Sequence, residues 1–137
     1  MRVFFDTSAW AKRYIREPGS DKVEDVLRGA SETAVSLLCP PELISALSRL
    51  RRQSLISTSG YDLIKSTLFR EIEDMSVCSI SIPIVEKAVD LLESHPLRTL
   101  DALQVACAFE WRADLFVSSD RRQLTAAVKS GLQVLGV

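Results

Sequence analysis

The chain has 137 residues, of which 47% are hydrophobic, enough for one core burying on the order of two thirds of the surface an unfolded chain of this size exposes; this excludes disordered and fibrous classes. A net charge of −1 means that no bulk positive field draws the protein to nucleic acid, so any such binding is local. Twelve of its 17 cations are arginine, some adjacent, as in Arg51-Arg52 and Arg121-Arg122, and arginine is the cation best shaped for phosphate.

Arg2 to Asp6 reads as a strand ending in an acid, and Ser8 to Ile15 as a helix carrying Trp10 and Tyr14. Pro18-Gly19 breaks it, and Ser20 to Arg28 resumes helical spacing up to Gly29. Thr33 to Leu38 reads as a second strand. Pro40-Pro41 opens a helix with Leu43, Ile44, Leu47 and Leu50 on one face, since proline is tolerated where the first amides lack partners. Ser59 to Glu73 is the next helix, Met75 to Ile82 a third strand and Pro83 to Glu93 a helix stopped at His95-Pro96. Thr99 to Trp111 is apolar on nearly every face, a central helix broken by Asp101, Gln104 and Glu110. Leu115 to Ser118, Arg121 to Lys129 and Leu132 to Leu135 read as strand, helix, strand. Strands alternating with helices imply an α/β fold, an α/β/α sandwich with a mainly parallel sheet of four to five strands, and residues 1–137 are expected to form a single domain.

The three cysteines, Cys39, Cys78 and Cys107, are odd in number and lie in apolar sequence, as buried thiols of a reducing compartment do. A cytoplasmic location is therefore expected. Met1 to Trp10 is too short and too soon charged for a signal peptide, and the uncharged stretch from Met75 to Val85 is too short to span a membrane.

Four acids stand where chemistry concentrates in such folds. Asp6 and Asp120 directly follow strands, so they face the crevice outside the carboxyl ends of the sheet. Glu42 and Asp101 lie in first turns of helices that open at the same edge. Each taken alone also fits a plain structural role, as a helix N-cap or a complement to a helix dipole. Asp101 fits it least, because an ionised carboxylate in an apolar helix is costly unless paired or bound to a cation; Gln104, one turn on, shares its face. If the four gather, their repulsion calls for a divalent cation, and an all-oxygen donor set favours Mg²⁺ or Mn²⁺. Such an ion activates water and supports in-line displacement at phosphorus, which makes phosphodiester hydrolysis the expected chemistry.

Taken together, Val3-Phe4-Phe5-Asp6-Thr7-Ser8-Ala9, Pro41-Glu42-Leu43 followed by Ser45-Ala46-Leu47, Leu97-Arg98-Thr99-Leu100-Asp101-Ala102-Leu103-Gln104 and Phe116-Val117-Ser118-Ser119-Asp120 resemble the PIN domain, in particular VapC-type toxins of toxin–antitoxin pairs. The resemblance covers essentially the whole chain. It implies a Mg²⁺- or Mn²⁺-dependent endoribonuclease that acts as a homodimer and is silenced by a cognate antitoxin. By the same resemblance Asp6 and Asp101 contact metal directly, Glu42 and Asp120 complete the cluster, and Thr7 and Ser118 support it with hydroxyls. Gln104 stands where relatives often carry His, a departure that touches substrate contacts more than metal binding. Arg98, Arg121 and Arg122, beside the acids in sequence, are candidates for RNA phosphates; solvated helix ends account for them equally well.

Trp10 and Tyr14 read either as core or as the lining of a groove for a partner helix, with Trp10 assigned to the core. His95 has no second histidine or nucleophile motif to work with, so a hydrolytic triad has no support. An aspartyl-phosphate enzyme would want a second Asp where Ser8 stands, and a receiver domain a Lys near Ser118-Ser119. The other alternative is a PIN-like RNA-processing or RNA-binding protein outside a toxin–antitoxin pair, with or without cleavage.

Overall fold

The structure, a computed structural model, describes residues 1–137. Its β-branched and aromatic runs form β1 (Arg2–Phe5), β2 (Glu32–Ser36), β3 (Ser76–Cys78), β4 (Leu115–Ser118) and β5 (Gln133–Gly136), the residue types that fit a pleated, packed surface. Between them run α1 (Thr7–Ala11), α2 (Ser20–Gly29), α3 (Cys39–Arg52), α4 (Thr58–Glu73), α5 (Ile82–Ser94), α6 (Thr99–Glu110) and α7 (Arg121–Lys129). The strands make one parallel sheet in the order β3-β2-β1-β4-β5. This is the α/β/α sandwich that the alternation of elements implies.

Side chains alternate across the sheet with the period of two that a strand imposes. Val3, Phe5, Val35 and Val117 pack with residues of α1, α2, α3 and α4 on one face. Phe4, Ala34 and Phe116 pack with α5, α6 and α7 on the other. The chain leaves β1 for β2 and β3 on one side, then crosses to β4 and β5 on the other. Because such crossovers are right-handed, reversing the direction of travel sends the later helices to the opposite face. The reversal lies between β1 and β4, and there the crevice at the carboxyl ends of the strands opens.

Most elements lie within two residues of the sequence reading, and two differ by more. The first helix ends at Ala11, not Ile15. The Lys12 carbonyl accepts the Ser20 hydroxyl at 2.9 Å, and the Lys12 ammonium reaches the Pro18 carbonyl at 2.8 Å and Glu17 at 3.1 Å, which turns the chain. Gly19 completes that turn at φ 98°, where a Cβ would stand 2.6 Å from the Val137 carbonyl carbon, so only glycine fits. The third strand covers three residues in place of Met75 to Ile82. Its partner β2 ends at Ser36, and Ile82 already begins α5, with Pro83 in the first turn where a missing N–H does no harm.

Trp10 is buried, 5.4 Å from Phe5 by ring centroids, which places it in the core as expected. Tyr14 meets Trp10 edge-on at 6.0 Å, and its hydroxyl donates to Glu71 at 2.8 Å. All three cysteines are unpaired thiols. No helix is long and apolar enough to cross a membrane.

Candidate active site

Seven polar or charged residues are buried in this protein. Five of them, Asp6, Ser36, Gln104, Ser118 and Gln123, lie at the carboxyl ends of the strands or on the helices facing that edge. Burying polar groups is costly unless they are hydrogen-bonded, and here they bond to neighbouring side chains and backbone amides of the same rim.

Asp6 follows β1, and its amide bonds the Val117 carbonyl of β4 at 3.0 Å, so it sits at the seam where the strand order reverses. Its carboxylate caps α1, accepting the Ala9 amide at 2.9 Å, and takes the Ser8 hydroxyl at 2.8 and 2.9 Å. Ser8 in turn accepts the Ser119 amide at 3.0 Å, tying the ends of β1 and β4 together. With only 3% of the residue exposed, burial outweighs these donors and pushes the Asp6 carboxyl up to about 6.

Glu42, in the first turn of α3, accepts Thr7 Oγ1 at 3.0 Å and Gln104 Nε2 at 2.6 Å on one oxygen, and Gln104 Nε2 also reaches Thr7 Oγ1 at 2.9 Å. Gln104 Oε1 is buried without a partner. Beside this group, burial pushes the Cys39 thiol up to about 12 against the opposing help of a Thr7 hydrogen bond, so Cys39 is a protonated packing residue rather than a ligand or nucleophile.

Asp101, in the first turn of α6, accepts Arg98 Nε at 2.9 Å and Gln123 Nε2 at 3.2 Å on its two oxygens. Ser118 donates to Gln123 Oε1 at 2.8 Å and accepts the Asp120 amide at 2.9 Å. Asp120 caps α7 through the amides of Arg122 and Gln123, at 2.7 and 3.1 Å. The Arg98 guanidinium, raised by its hydrogen bond and charge attraction to Asp101, also feels Asp120 and Glu42. Arg121 and Arg122 border the same depression as Arg98, Asp101 and Asp120.

The structure thus brings all ten residues singled out from sequence to one rim of the sheet. Eight of them, together with Ser8 and Gln123, form three hydrogen-bonded groups: Asp6 with Ser8, Glu42 with Thr7 and Gln104, and Asp101 with Arg98, Gln123, Ser118 and Asp120. They do not close into the tight cluster that the sequence reading expected, and no three carboxylates stand near enough to share one ion. Each is instead held by its own donors, and Arg98 supplies the positive charge beside Asp101. The donor set is nonetheless that of a hard divalent cation, all carboxylate oxygen with the nearby thiol protonated.

Two residues of this network escaped the sequence reading. Gln123 is 1% exposed and joins Ser118 to Asp101; its signal is an amide on the face of α7 that carries Ala126 and Ala127. Ser8 connects Asp6 to Ser119, and its signal is a hydroxyl two residues after a strand-ending acid, within reach of that carboxylate.

The sequence matches the model of the PIN domain over residues 3–129. The chain belongs to the PIN domain family. That family is one of nucleases. Among solved structures, this PIN domain superposes on FitAcB of Neisseria gonorrhoeae with a TM-score of 0.72 at 12% identity, covering 98% of this chain and 96% of that one. It matches VapBC2 of Rickettsia felis, solved with a DNA fragment from its promoter, with a TM-score of 0.71 at 15% identity, covering 100% and 99%. VapC20 of Mycobacterium tuberculosis, a toxin that cleaves the sarcin-ricin loop, gives 0.68 at 16% identity over 90% and 94%. At such identities these likenesses speak for the fold. No curated protein matches the chain in sequence.

Proposed function

We propose that this PIN domain is a divalent-metal-dependent endoribonuclease that hydrolyses RNA phosphodiester bonds and serves as the toxin of a type II toxin–antitoxin pair. The observation that carries the reading is Asp6: a carboxylate nearly sealed from water at the switch point of the sheet, with Asp101, Asp120 and Glu42 at the starts of helices on the same rim. A buried carboxylate lacking a strong cationic partner is a standing electrostatic cost, and a divalent ion removes it.

Asp6 and Asp101 would hold Mg²⁺ or Mn²⁺, with Asp120 and Glu42 completing the set through water. When bound, the ion supplies an activated water and neutralises charge that builds on the phosphoryl oxygens. The chain's own residues supply position. Ser8 and the Ala9 amide fix Asp6, and Gln123, itself held by Ser118, orients Asp101. Thr7 and Gln104 orient Glu42 through one oxygen, leaving its second oxygen to accept a hydrogen bond from water. Arg98, with its side chain 83% exposed, and Arg121 and Arg122 meet the phosphates of the strand. An RNA substrate is in keeping with the sarcin-ricin loop cleaved by VapC20, and a protein partner with the toxin-antitoxin complex from Klebsiella pneumoniae, whose fold this chain shares with a TM-score of 0.70. We place the working form in the cytoplasm as a homodimer of one-domain chains, silenced by its antitoxin.

The test is direct. Purified protein should cut RNA in Mg²⁺ or Mn²⁺, stop on addition of a chelator, and lose activity on Asp101→Asn while keeping its circular dichroism spectrum. Undiminished cleavage by Asp101→Asn would remove the mechanism. Light scattering reads the dimer, and co-expression with a small DNA-binding protein encoded next to the gene reads the partner.

A further inference from the structure

Two depressions border the acidic rim, and Arg98 lines both. One, of about 440 Å³, is walled only by polar side chains, with Arg121 and Arg122 on its outer side. The other, of about 570 Å³, begins at Glu42 and Arg98 and continues along α3 past Ser45 to Arg49, with Leu38, Ala46 and Leu100 along its wall. Glu42, Ser45, Ala46 and Arg49 recur three, four and seven residues apart and so share one face of α3. Arg49 is in none of the protein's ion pairs, and Leu100 is 45% exposed.

The two depressions differ in chemistry. A groove holding only charge and hydrogen-bonding groups binds a sugar-phosphate backbone without regard to sequence. A groove with apolar walls, a hydroxyl and a forked guanidinium can bury the face of a heterocycle and bond its edge, and its size suits one nucleoside. Unpaired RNA presents such bases splayed from the strand. Because both depressions open onto Arg98, a strand crossing the acids lies in the two at once.

Resting on the reading of the rim as a ribonuclease site, we propose that the groove between α3 and the start of α6 is a nucleobase subsite: it receives the base next to the scissile phosphate, bonds its edge through Arg49 and Ser45, and sets the nucleotide preference of cleavage. The Arg121–Arg122 groove holds the strand's phosphates and contributes affinity without preference.

Two arms test this and separate it from the nuclease reading. In the first, cleavage of a random-sequence single-stranded RNA in Mn²⁺ is mapped by sequencing the ends. A marked preference at one position beside the cut is expected, and Arg49→Ala should shrink the kcat/KM ratio between favoured and disfavoured nucleotides by about tenfold, the usual worth of one such pocket contact. Arg49→Lys, which keeps charge but not the fork, should fail to restore it. The Arg121→Ala/Arg122→Ala double variant should slow all sequences alike and lower the salt dependence by about one to two in log–log slope. In the second arm, with chelator present and no cleavage, fluorescent eight-nucleotide homopolymers of A, C, G and U should bind with unequal affinities that Arg49→Ala levels. Base-selective binding without cleavage at any metal concentration would sink the nuclease reading alone. Equal treatment of the four bases by the wild type, a preference untouched by Arg49→Ala and by Ser45→Ala, or full restoration by Arg49→Lys would overturn the subsite, the last by reducing Arg49 to a charge; a groove that seats a partner polypeptide would give the second result.

Discussion

The two ends of the parallel sheet carry the same kinds of residue and use them differently. At the amino end, Arg2 pairs with Glu32 at 3.2 Å, its backbone amide bonds Asp114 at 2.7 Å, and its guanidinium lies 4.1 Å over the Trp111 ring, all at exposed or half-buried positions. Glu73 and Asp74 stand in water nearby. At the carboxyl end, Asp6, Gln104, Ser118 and Gln123 are buried and bonded in chains that cross from strand to helix. Acid and arginine at both ends therefore say little. What separates a solvated rim from a working one is polar side chains kept out of water at a cost that folding alone does not require.

The largest effect should fall on the carboxyl rim and on activity. Asp6→Asn and Asp101→Asn each keep the size of the side chain and most hydrogen bonds while removing the charge. Either should lower RNA cleavage by about 10²- to 10³-fold, the loss typical of removing one preorganised electrostatic element. The fold should persist, as read by circular dichroism. Equal losses from Asp114→Asn at the amino rim would erase the contrast between the two ends.

How far this contrast was legible beforehand differs for fold and site. The element order came through because strands and helices here carry clean periods: Val3, Phe5 and Phe4 alternate between faces, and helix starts are marked by Pro40-Pro41 and Pro83. The two lengths misjudged by more than two residues, α1 and β3, were set by tertiary partners, the Ser20 hydroxyl on the Lys12 carbonyl and the end of β2, which no local period encodes. Asp6, Glu42, Asp101 and Asp120 were legible because an acid after a strand or opening an apolar helix is locally conspicuous. Gln123 was not, since its meaning lies in contacts with Asp101 and Ser118, 22 and 5 residues away.

The second prediction concerns the pH dependence of stability. The folded Asp6 carboxyl holds its proton up to about 6, whereas the unfolded one releases it near 3.8, because burial disfavours the charge. Between those values the native state binds more protons, so stability falls as pH rises. In chelator, urea denaturation should show wild-type stability falling between pH 4 and 6.5 by up to about 3 kcal/mol more than that of Asp6→Asn. Parallel profiles for the two proteins would mean that the carboxylate is better solvated than its place at the seam indicates.

Gln123→Leu sharpens the comparison from inside the network. Leucine fills the same space, but it leaves the Ser118 hydroxyl and one Asp101 oxygen without their partners. Stability should drop by about 1–3 kcal/mol, the cost of stranding buried polar groups. Cleavage should fall by about 10- to 100-fold, as when a group that orients a metal-binding side chain is lost. A loss of stability with cleavage intact would make Gln123 a strut of α7 alone.

The smallest effect belongs to the amino rim. Glu32→Gln removes the charge opposite Arg2 while leaving that guanidinium over Trp111. Glu32 is 58% exposed at its side chain, and solvent screens such a pair, so thermal unfolding should move by the equivalent of less than about 1 kcal/mol, and less still at high salt. RNA cleavage should not change. The comparison rests on that indifference: a cleavage defect from Glu32→Gln would mean that charge at the far end of the strands reaches the chemistry, and buried polarity would then no longer mark where the protein works.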